Sequence, residues 1–221
     1  MTPNQITALR VLMAFAAVAL FGRGSTANMA ALTLTVSAVF LDAVDGWVAR
    51  RRGLTTPLGA QLDILGDRVI ENLFFTYFAV CGLISTWVPV LFFVRGTATD
   101  FLRDLAARSG RSGFGKNSMM ETRWGRALVA SRASRAGYGI LKCVCFVWLG
   151  VHLSVVTPNP ATPWAAVLIP GSQFLVLLTV AFCLLRGLPV LWEGRRYWIA
   201  LESPRPQSPR IVSPKRLGHA A

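Results

Sequence analysis

Long apolar stretches separated by short polar connections occupy most of the chain. Six such segments can be delimited, at residues 6–21, 29–48, 60–84, 87–106, 138–155 and 164–185. Several approach about 20 apolar residues, the length that a helix needs to cross a bilayer. Helices are favoured because a lone span in lipid must satisfy its own backbone hydrogen bonds. The pattern therefore predicts an all-α, polytopic membrane protein with six transmembrane helices.

The distribution of basic residues predicts the orientation of these helices. If both termini are cytoplasmic, the outside connections contain one Lys or Arg, Arg23, and the other clusters fall on the inside. Such an asymmetry is typical of membrane proteins, whose cytoplasmic loops are enriched in Lys and Arg. We expect one six-helix membrane domain over residues 1–190, followed by a basic, Pro/Ser-rich cytoplasmic tail over residues 191–221.

Composition and charge support a membrane protein and narrow its partners. The chain has 221 residues, of which 53% are hydrophobic and 15% are charged, and its net charge is +13. A soluble domain averages roughly 25% charged residues. Because the basic residues flank apolar segments, they indicate contact with membrane lipids or small anions, and no nucleic acid is expected.

Four aspartates stand in an otherwise apolar part of the chain. Asp42 and Asp45 are three residues apart, and Asp63 and Asp67 are four apart. At either spacing, two side chains share one face of a helix. A polar turn that contains Gly and Pro separates the two pairs. The sequence therefore predicts a helical hairpin with two carboxylates on each arm.

Four converging carboxylates require positive charge among them, because they repel one another and lose hydration near the membrane. Oxygen ligands without His or Cys favour hard divalent cations such as Mg²⁺, Mn²⁺ or Ca²⁺. Two such ions neutralise phosphate oxygens and activate an oxygen nucleophile for displacement at phosphorus. The alternative is a solvated helix end whose carboxylates pair with neighbouring arginines.

The aspartates belong to a longer motif with the spacing D-x-x-D-G-x-x-A-R-x8-G-x3-D-x3-D. Its fixed positions are occupied by Asp42, Asp45, Gly46, Ala49, Arg50, Gly59, Asp63 and Asp67. This motif, on a hairpin of a six-segment chain, resembles that of the CDP-alcohol phosphatidyltransferase family.

The resemblance implies a transferase of phospholipid synthesis that depends on two divalent ions, Mg²⁺ or Mn²⁺. It implies that Asp42, Asp45, Asp63 and Asp67 bind the metals and that Asp67 is also the general base. An acceptor hydroxyl would attack the lipid-side phosphorus of CDP-diacylglycerol, and CMP would leave. The residues implied in binding the CDP-alcohol are Gly46, Ala49, Arg50, Thr56 and Gly59, with Asn4 and Thr7 at the entry to the first helix.

The fourth apolar segment suggests the kind of acceptor. Arg95 and Arg103 are eight residues apart, close to two helical turns, and face the same way. A cationic stripe beside a metal site favours an anionic acceptor such as a polyol phosphate. The run from Arg95 to Lys116 resembles the phosphatidylglycerophosphate synthase branch, although that branch has Arg-Glu where this chain has Arg95-Gly96. Lys142 is a further candidate for the acceptor pocket.

Several alternatives remain open at this stage. Glycerol 3-phosphate is the leading acceptor, and inositol phosphate is the main alternative. A CDP-amino alcohol phosphotransferase acting on diacylglycerol is a second enzyme class, and a divalent-cation transporter is a different class altogether. The resemblance also implies a multi-pass protein of the cell membrane, with its active site facing the cytoplasm and with a possible homodimeric assembly.

Overall fold

The computed structural model describes residues 3–52, 57–111 and 118–202, with residues 3, 42–52, 57, 60, 132 and 200–202 described by their backbone alone. Within these ranges the regular structure is helical and no β-strand occurs. The prediction of an all-α protein is confirmed.

Six long helices and one short helix make up the described chain. They are α1 (Pro3–Leu20), α2 (Ser25–Arg52), α3 (Pro57–Val80), α4 (Trp87–Arg108), α5 (Arg123–Gly125), α6 (Arg132–Val155) and α7 (Ala165–Glu202), with a π-helical segment at Arg126–Ala130. Each long helix overlaps one of the six predicted apolar segments.

Local chemistry explains where α3 begins and ends. Pro57 is its first residue, a position where the missing N–H is not needed for a helical hydrogen bond. Gly82 follows the last turn with φ +75°, a left-handed conformation that glycine adopts without steric cost. The Leu83 N–H donates to the Phe78 carbonyl at 3.0 Å, which closes the helix end. The chain then enters α4 after a short connection.

Two helices extend beyond the predicted apolar segments. α6 begins at Arg132 instead of residue 138, because the Ser131 side chain caps it by accepting from the Ser134 N–H at 3.2 Å. α7 continues past residue 185 to Glu202, so the first residues of the predicted tail are helical. Val190 is buried there in a second apolar cluster with Leu102 and Leu105, which stabilises this extension of α7 against α4. The division into domains stays a prediction.

The six long helices form a closed ring. Going around the ring, the neighbours in contact are α1, α2, α6, α7, α4 and α3, and α3 contacts α1 again. The ring has an aromatic interior: Phe75 packs in a tilted arrangement on Phe92, with 4.3 Å between centroids, and edge-on against Phe146 at 4.9 Å. Because Phe92 lies on α4 and Phe146 on α6, the phenylalanines of α3 join helices from both sides of the ring.

The outer surface of the ring is apolar, with large exposed side chains such as Leu12, Phe40 and Val80. Within the described residues, two helical stretches are long and apolar enough to cross a membrane, Ala133–Val155 and Ala165–Ile199. In α3 and α4 the apolar residues are interrupted by charged ones, among them the buried Glu71 and Arg95. The number of transmembrane helices and the side on which the termini lie stay predictions.

The contact between α6 and α7 yields a test of packing. A Cβ atom at Gly171 would overlap the ring of Trp148, whose Nε1 donates to the Leu168 carbonyl at 3.3 Å. We expect Gly171→Ala to reduce the free energy of unfolding by about 1–3 kcal/mol, the usual cost of overpacking. The matched control is Gly137→Ala on α6, where a Cβ meets nothing within 4 Å. Equal thermal midpoints for the two variants in detergent would contradict this account of the helix contact.

Candidate active site

Asp63 and Asp67 share one face of α3, near the end of the bundle where this helix begins. Their side chains are 51% and 50% exposed, so both are accessible to a ligand. Arg10 of α1 contacts both, with Nη2 at 2.7 Å from Asp67 Oδ1 and Nη1 at 3.5 Å from Asp63 Oδ1. Arg10 itself is buried. One guanidinium therefore holds two of the predicted metal ligands from the interior side.

Close approach of α1 to α3 makes this ion pair possible. Gly66 lies between the two aspartates along α3, and a Cβ atom there would be 2.8 Å from Thr7 Cγ2. Thr7 is buried, and Asn4 in the first turn of α1 is partly exposed. Thr7 thus packs α1 against the aspartate helix. Contact of Asn4 or Thr7 with the CDP-alcohol stays a prediction.

Other predicted site residues are placed only in part. The backbone of the last turns of α2 is helical where Asp42, Asp45, Gly46, Ala49 and Arg50 lie, but their side chains are outside the described residues. Thr56 and Lys116 are also outside them, and Gly59 stands in the first turn of α3. The predicted spacing of Asp42 and Asp45 is therefore realised on a helix, and their roles stay predictions.

The two described aspartates fit part of a site for a hard cation. They offer carboxylate oxygens on accessible side chains, which is the donor type that Mg²⁺ and Mn²⁺ prefer. Among the described side chains, no group of three or more His, Cys, Asp or Glu comes together. Asp63 and Asp67 would therefore supply one half of the predicted ligand set.

A cationic cluster occupies the ring interior next to the aspartates. We use this name for the five side chains Arg68, Arg95, Arg103, Lys142 and Arg186. Arg68 Nε and Nη2 donate to the two carboxylate oxygens of Asp100 at 2.7 and 3.1 Å, so a bidentate ion pair connects α3 to α4. Arg103 Nη1 contacts the same Asp100 at 3.1 Å.

Glu71 is the buried carboxylate of this cluster, with 2% exposure. Its Oε2 accepts from Arg68 Nη1 at 3.0 Å and lies 3.3 Å from Lys142 Nζ, while the Tyr138 hydroxyl donates to its Oε1 at 3.4 Å. A buried carboxylate requires such partners, because an unpaired charge away from water is strongly disfavoured. Glu71 thereby connects α3 to α6.

Arg95 and Arg186 add positive charge that Glu71 does not neutralise. Both are nearly fully buried, and among the described residues their Nε atoms have no hydrogen-bond partner. Arg186 Nη1 donates to the Leu128 carbonyl at 2.6 Å and to the Ser134 hydroxyl. Arg95 packs against Gly187, where a Cβ would lie 2.9 Å from its Cγ and Nε atoms. The cluster therefore has five cations and two carboxylates, Glu71 and Asp100, in its described part.

Gly96 lies against the side chain of Arg68. A Cβ atom at this position would be 3.4 Å from Cδ and Nε of Arg68, an ordinary van der Waals distance, so the space would admit a small side chain. In this chain the carboxylates that face Arg68 come from Glu71 and Asp100.

A small cavity lies between Asp67 and the cationic cluster. It has a volume of about 80 Å³, and four ionisable side chains, Arg10, Asp67, Glu71 and Lys142, stand in a lining that is otherwise mostly apolar. A group of a few atoms placed there would contact the predicted general base together with Arg10 and Lys142. The aspartate pair and the cationic cluster therefore adjoin each other at this cavity, where Lys142 is the member of the cluster that lines it.

A larger apolar groove also starts at Asp67. It has a volume of about 870 Å³ and runs along α6 from Arg135 to Leu168 of α7, with Val36 and Val39 of α2 on its other wall. A groove of this composition accepts a hydrocarbon chain.

Six residues of the site were not among the sequence candidates. They are Arg10, Arg68, Glu71, Asp100, Tyr138 and Arg186. The five charged ones carried a signal, because an ionisable residue within or beside an apolar segment is a candidate functional residue. Tyr138 carried none, since its partners come from other parts of the chain.

Comparison with known proteins decides the family. The family model of the CDP-alcohol phosphatidyltransferases matches residues 1–169. The chain belongs to the CDP-alcohol phosphatidyltransferase family. The match covers the aspartate motif as well as α1 to α6, so the geometry around Asp63 and Asp67 lies inside the region that defines this family.

Two sequence relatives of this phosphatidyltransferase chain have the same name. Proteins of Mycobacterium tuberculosis, strains CDC 1551 and H37Rv, named probable phosphatidylglycerophosphate synthase, are 30% identical over 111 residues, which is 48% of this chain and 53% of theirs. The chain thus spans about half the length of the relatives that it matches.

Solved structures show the fold. The Mycobacterium tuberculosis phosphatidylinositol phosphate synthase in apo form matches with a TM-score of 0.51 and 23% identity over 87% of this chain and 90% of that one. The same protein in complex with manganese and citrate matches with a TM-score of 0.51 and 22% identity over 87% of this chain and 83% of that one. At this identity the likeness concerns the helical fold.

The Arg10 ion pairs give a stability prediction for the site. We expect Arg10→Met to reduce the free energy of unfolding by about 1–3 kcal/mol, because the two charge-assisted hydrogen bonds from the guanidinium to Asp63 and Asp67 are lost. Arg10→Lys should be intermediate, since one ammonium cannot reach both carboxylates as a guanidinium does. Thermal unfolding in detergent with EDTA measures both. An Arg10→Met midpoint equal to that of the wild type would remove Arg10 from this role.

Proposed function

We propose that the protein is a membrane-embedded transferase that moves a phosphatidyl group from CDP-diacylglycerol to a hydroxyl of a polyol phosphate, with release of CMP. Membership of the CDP-alcohol phosphatidyltransferase family supports the reaction class. The phosphorylated acceptor rests on one observation, the cationic cluster that adjoins Asp67 at the small cavity lined by Lys142 and Glu71.

The charge balance of the cluster favours a dianionic acceptor. Its five cations face two carboxylates in the described part of the chain, and Arg95 and Arg186 have no carboxylate among their described contacts. Buried cations without counter-ions are costly, and a phosphate supplies both charge and several hydrogen-bond acceptors. The phosphate of the acceptor would bind here and direct its hydroxyl towards Asp67.

The reaction is a displacement at phosphorus. The acceptor hydroxyl oxygen forms a bond to the lipid-side phosphorus, the bond from that phosphorus to the oxygen of CMP breaks, and CMP leaves with the electron pair. Asp67 takes the hydroxyl proton. Its half-exposed side chain lines the small cavity, so an acceptor hydroxyl placed there would have a carboxylate to take its proton.

Two divalent ions, Mg²⁺ or Mn²⁺, are the proposed cofactors. Asp42, Asp45, Asp63 and Asp67 would hold them, and the bound ions would neutralise the pyrophosphate charge of the donor. A related phosphatidylinositol phosphate synthase has been solved with manganese, which supports this choice of metal. Arg10 would keep Asp63 and Asp67 oriented from behind.

The apolar groove along α6 supports a diacylglycerol-bearing donor. It begins at Asp67, where the donor phosphates would lie, and its walls include Val36, Ile140 and Val144. One acyl chain would follow the groove towards Leu168. The remaining CDP-alcohol contacts proposed are Gly46, Ala49, Arg50, Thr56 and Gly59, with Asn4 and Thr7.

Glycerol 3-phosphate is the acceptor that we propose first, and inositol phosphate is the alternative. One relative is named a phosphatidylglycerophosphate synthase and another a phosphatidylinositol phosphate synthase, and the compound in each name contains a phosphorylated polyol. Arg95, Arg103, Lys116 and Lys142 are the proposed acceptor contacts. The cluster recognises the phosphate that both acceptors share, so the remainder of the polyol has to be assigned by experiment.

The other function classes fit the site less well. A CDP-amino alcohol phosphotransferase would have no use for the excess positive charge around Tyr138. A divalent-cation transporter would need a path that five cations next to the aspartates would oppose.

Localisation in the cell membrane, with the active site facing the cytoplasm, stays part of the proposal, as does a homodimer. The outward groove between α3 and α4 contains the polar side chains Asn72, Thr76 and Thr97, of which Asn72 donates to the Arg68 carbonyl at 2.9 Å. A second copy on this surface could offer the hydroxyls of Thr76 and Thr97 polar contacts that lipid chains cannot provide.

CMP release by the purified protein in detergent tests the function. The assay contains CDP-diacylglycerol and Mg²⁺ or Mn²⁺, with glycerol 3-phosphate, inositol phosphate, inositol, serine or no acceptor. We expect EDTA-sensitive release with one phosphorylated polyol, and activity below about a tenth for Asp63→Asn, which removes a metal ligand. Release with serine or free inositol alone would overturn the phosphorylated acceptor, and absence of release from a folded protein would overturn the donor.

The role of Arg95 is tested by comparing substrates. Arg95→Ala should raise the acceptor KM at least about tenfold while the CDP-diacylglycerol KM changes little, because a charged hydrogen bond to phosphate is worth about 1.5–3 kcal/mol. Arg108→Ala is the matched control, since Arg108 lies on the same helix with 73% of its side chain exposed and pairs with Asp104. An equal rise of both KM values in Arg95→Ala would place Arg95 outside the acceptor pocket.

A further inference from the structure

Tyr138 occupies the centre of the cationic cluster. It lies on α6 with 7% exposure, and its ring faces three cations from three different helices. Lys142 Nζ is 4.9 Å from the ring centroid, Arg186 Cζ 5.6 Å and Arg95 Cζ 5.8 Å. All three distances are within the range of cation–π attraction, about 6 Å.

Apart from this ring, the three cations have contacts that differ in their charge. Lys142 has the buried carboxylate of Glu71 at 3.3 Å. Arg186 has the Leu128 carbonyl and the Ser134 hydroxyl, which carry no net charge. Arg95 lies over the ring of Tyr138 and packs on Gly187. The ring is therefore the element that all three cations share.

We infer that Tyr138 is a positioning residue for the acceptor site, whose aromatic face holds Arg95, Arg186 and Lys142 together so that they bind one phosphate group. This inference rests on the proposed function. The negative face of the ring attracts each cation, which offsets part of their mutual repulsion before an anion arrives. The hydroxyl has a separate task, since it donates to Glu71.

This division of tasks distinguishes Tyr138 from an ordinary core residue. A core role would depend on volume, and Tyr138 also stacks on Phe182 at 6.1 Å between centroids. The positioning role depends on the electron-rich ring, so phenylalanine should replace it and an aliphatic side chain should not. Loss of the ring should affect the phosphate-bearing acceptor and leave the CDP-diacylglycerol donor nearly unaffected.

The experiment measures KM for both substrates in Tyr138→Phe, Tyr138→Leu and Phe182→Leu. We expect Tyr138→Leu to raise the acceptor KM about tenfold, the size of a buried cation–π contribution, with the donor KM within about twofold. Tyr138→Phe should stay within about threefold of the wild type, because the hydroxyl bond to Glu71 is long and the ring is kept. Phe182→Leu, which removes the aromatic neighbour of Tyr138 and no cation contact, should leave the acceptor KM unchanged.

Inorganic phosphate provides a second measurement with the same variants. As a competitor of the acceptor, it should inhibit the wild type and Tyr138→Phe alike and inhibit Tyr138→Leu about tenfold more weakly. If Tyr138→Leu does not fold, phenylalanine at position 138 can be compared with its trifluoro analogue, which has nearly the same shape and a weakened ring face. The fluorinated protein should then show the weaker phosphate inhibition.

The possible failures are distinguishable. Equal acceptor KM values for the wild type and a folded Tyr138→Leu would overturn the inference and leave the proposed function intact. Two further results would overturn the inference in the same way. One is a rise of the acceptor KM in Phe182→Leu as large as that in Tyr138→Leu. The other is a rise of the donor KM in Tyr138→Leu as large as that of the acceptor KM, since either pattern would point to a packing role. Absence of CMP release from the wild type with every phosphorylated polyol would overturn the proposed function itself.

Discussion

A carboxylate buried between apolar helices must be matched by cations, and in this protein that carboxylate is Glu71. Its exposure is 2%, so water cannot stabilise its charge. Arg68 on the same helix and Lys142 on α6 supply the opposite charge, and the Tyr138 hydroxyl supplies a hydrogen bond. These contacts fix α3 relative to α6. Arg68 also pairs with a second carboxylate, that of Asp100, and this ion pair fixes α3 relative to α4 in the same way.

The bundle consequently has two interiors with different chemistry. On one side of Glu71 along α3, the phenylalanines Phe74, Phe75 and Phe78 fill the ring and contact Phe92 and Phe146. On the other side, the same helix presents Asp63 and Asp67. The aromatic part holds the helices together by apolar burial, and the polar part leaves room for a ligand.

Close contacts at glycines allow long charged side chains into the polar interior. Gly187 leaves space for Arg95, and Gly66 allows the approach of α1 that brings Arg10 to the aspartates. Arg10 and Arg95 are both buried in this way. Side chains fixed in this way lose little conformational freedom on binding an anion, which favours tight recognition.

Local patterns in the sequence were sufficient for the elements and for the chemistry of the aspartates. Helices follow from long apolar segments, and the spacing of Asp63 and Asp67 places them on one face because both depend only on the 3.6-residue period. The order of helices around the ring was not accessible in this way. Arg10 precedes Asp67 by 57 residues, and Glu71 precedes Tyr138 by 67.

The sequence by itself determined the all-α architecture, the family and the carboxylate motif, because these depend on residue type and on short-range spacing. Only the tertiary structure decided that Arg10 supports the aspartates, that Glu71 and Tyr138 lie among the cations, and that Arg186 joins Arg95. The physical reason is that buried charges choose partners by proximity in space. Helix packing sets that proximity, and it cannot be read from the residue periodicity of any single helix.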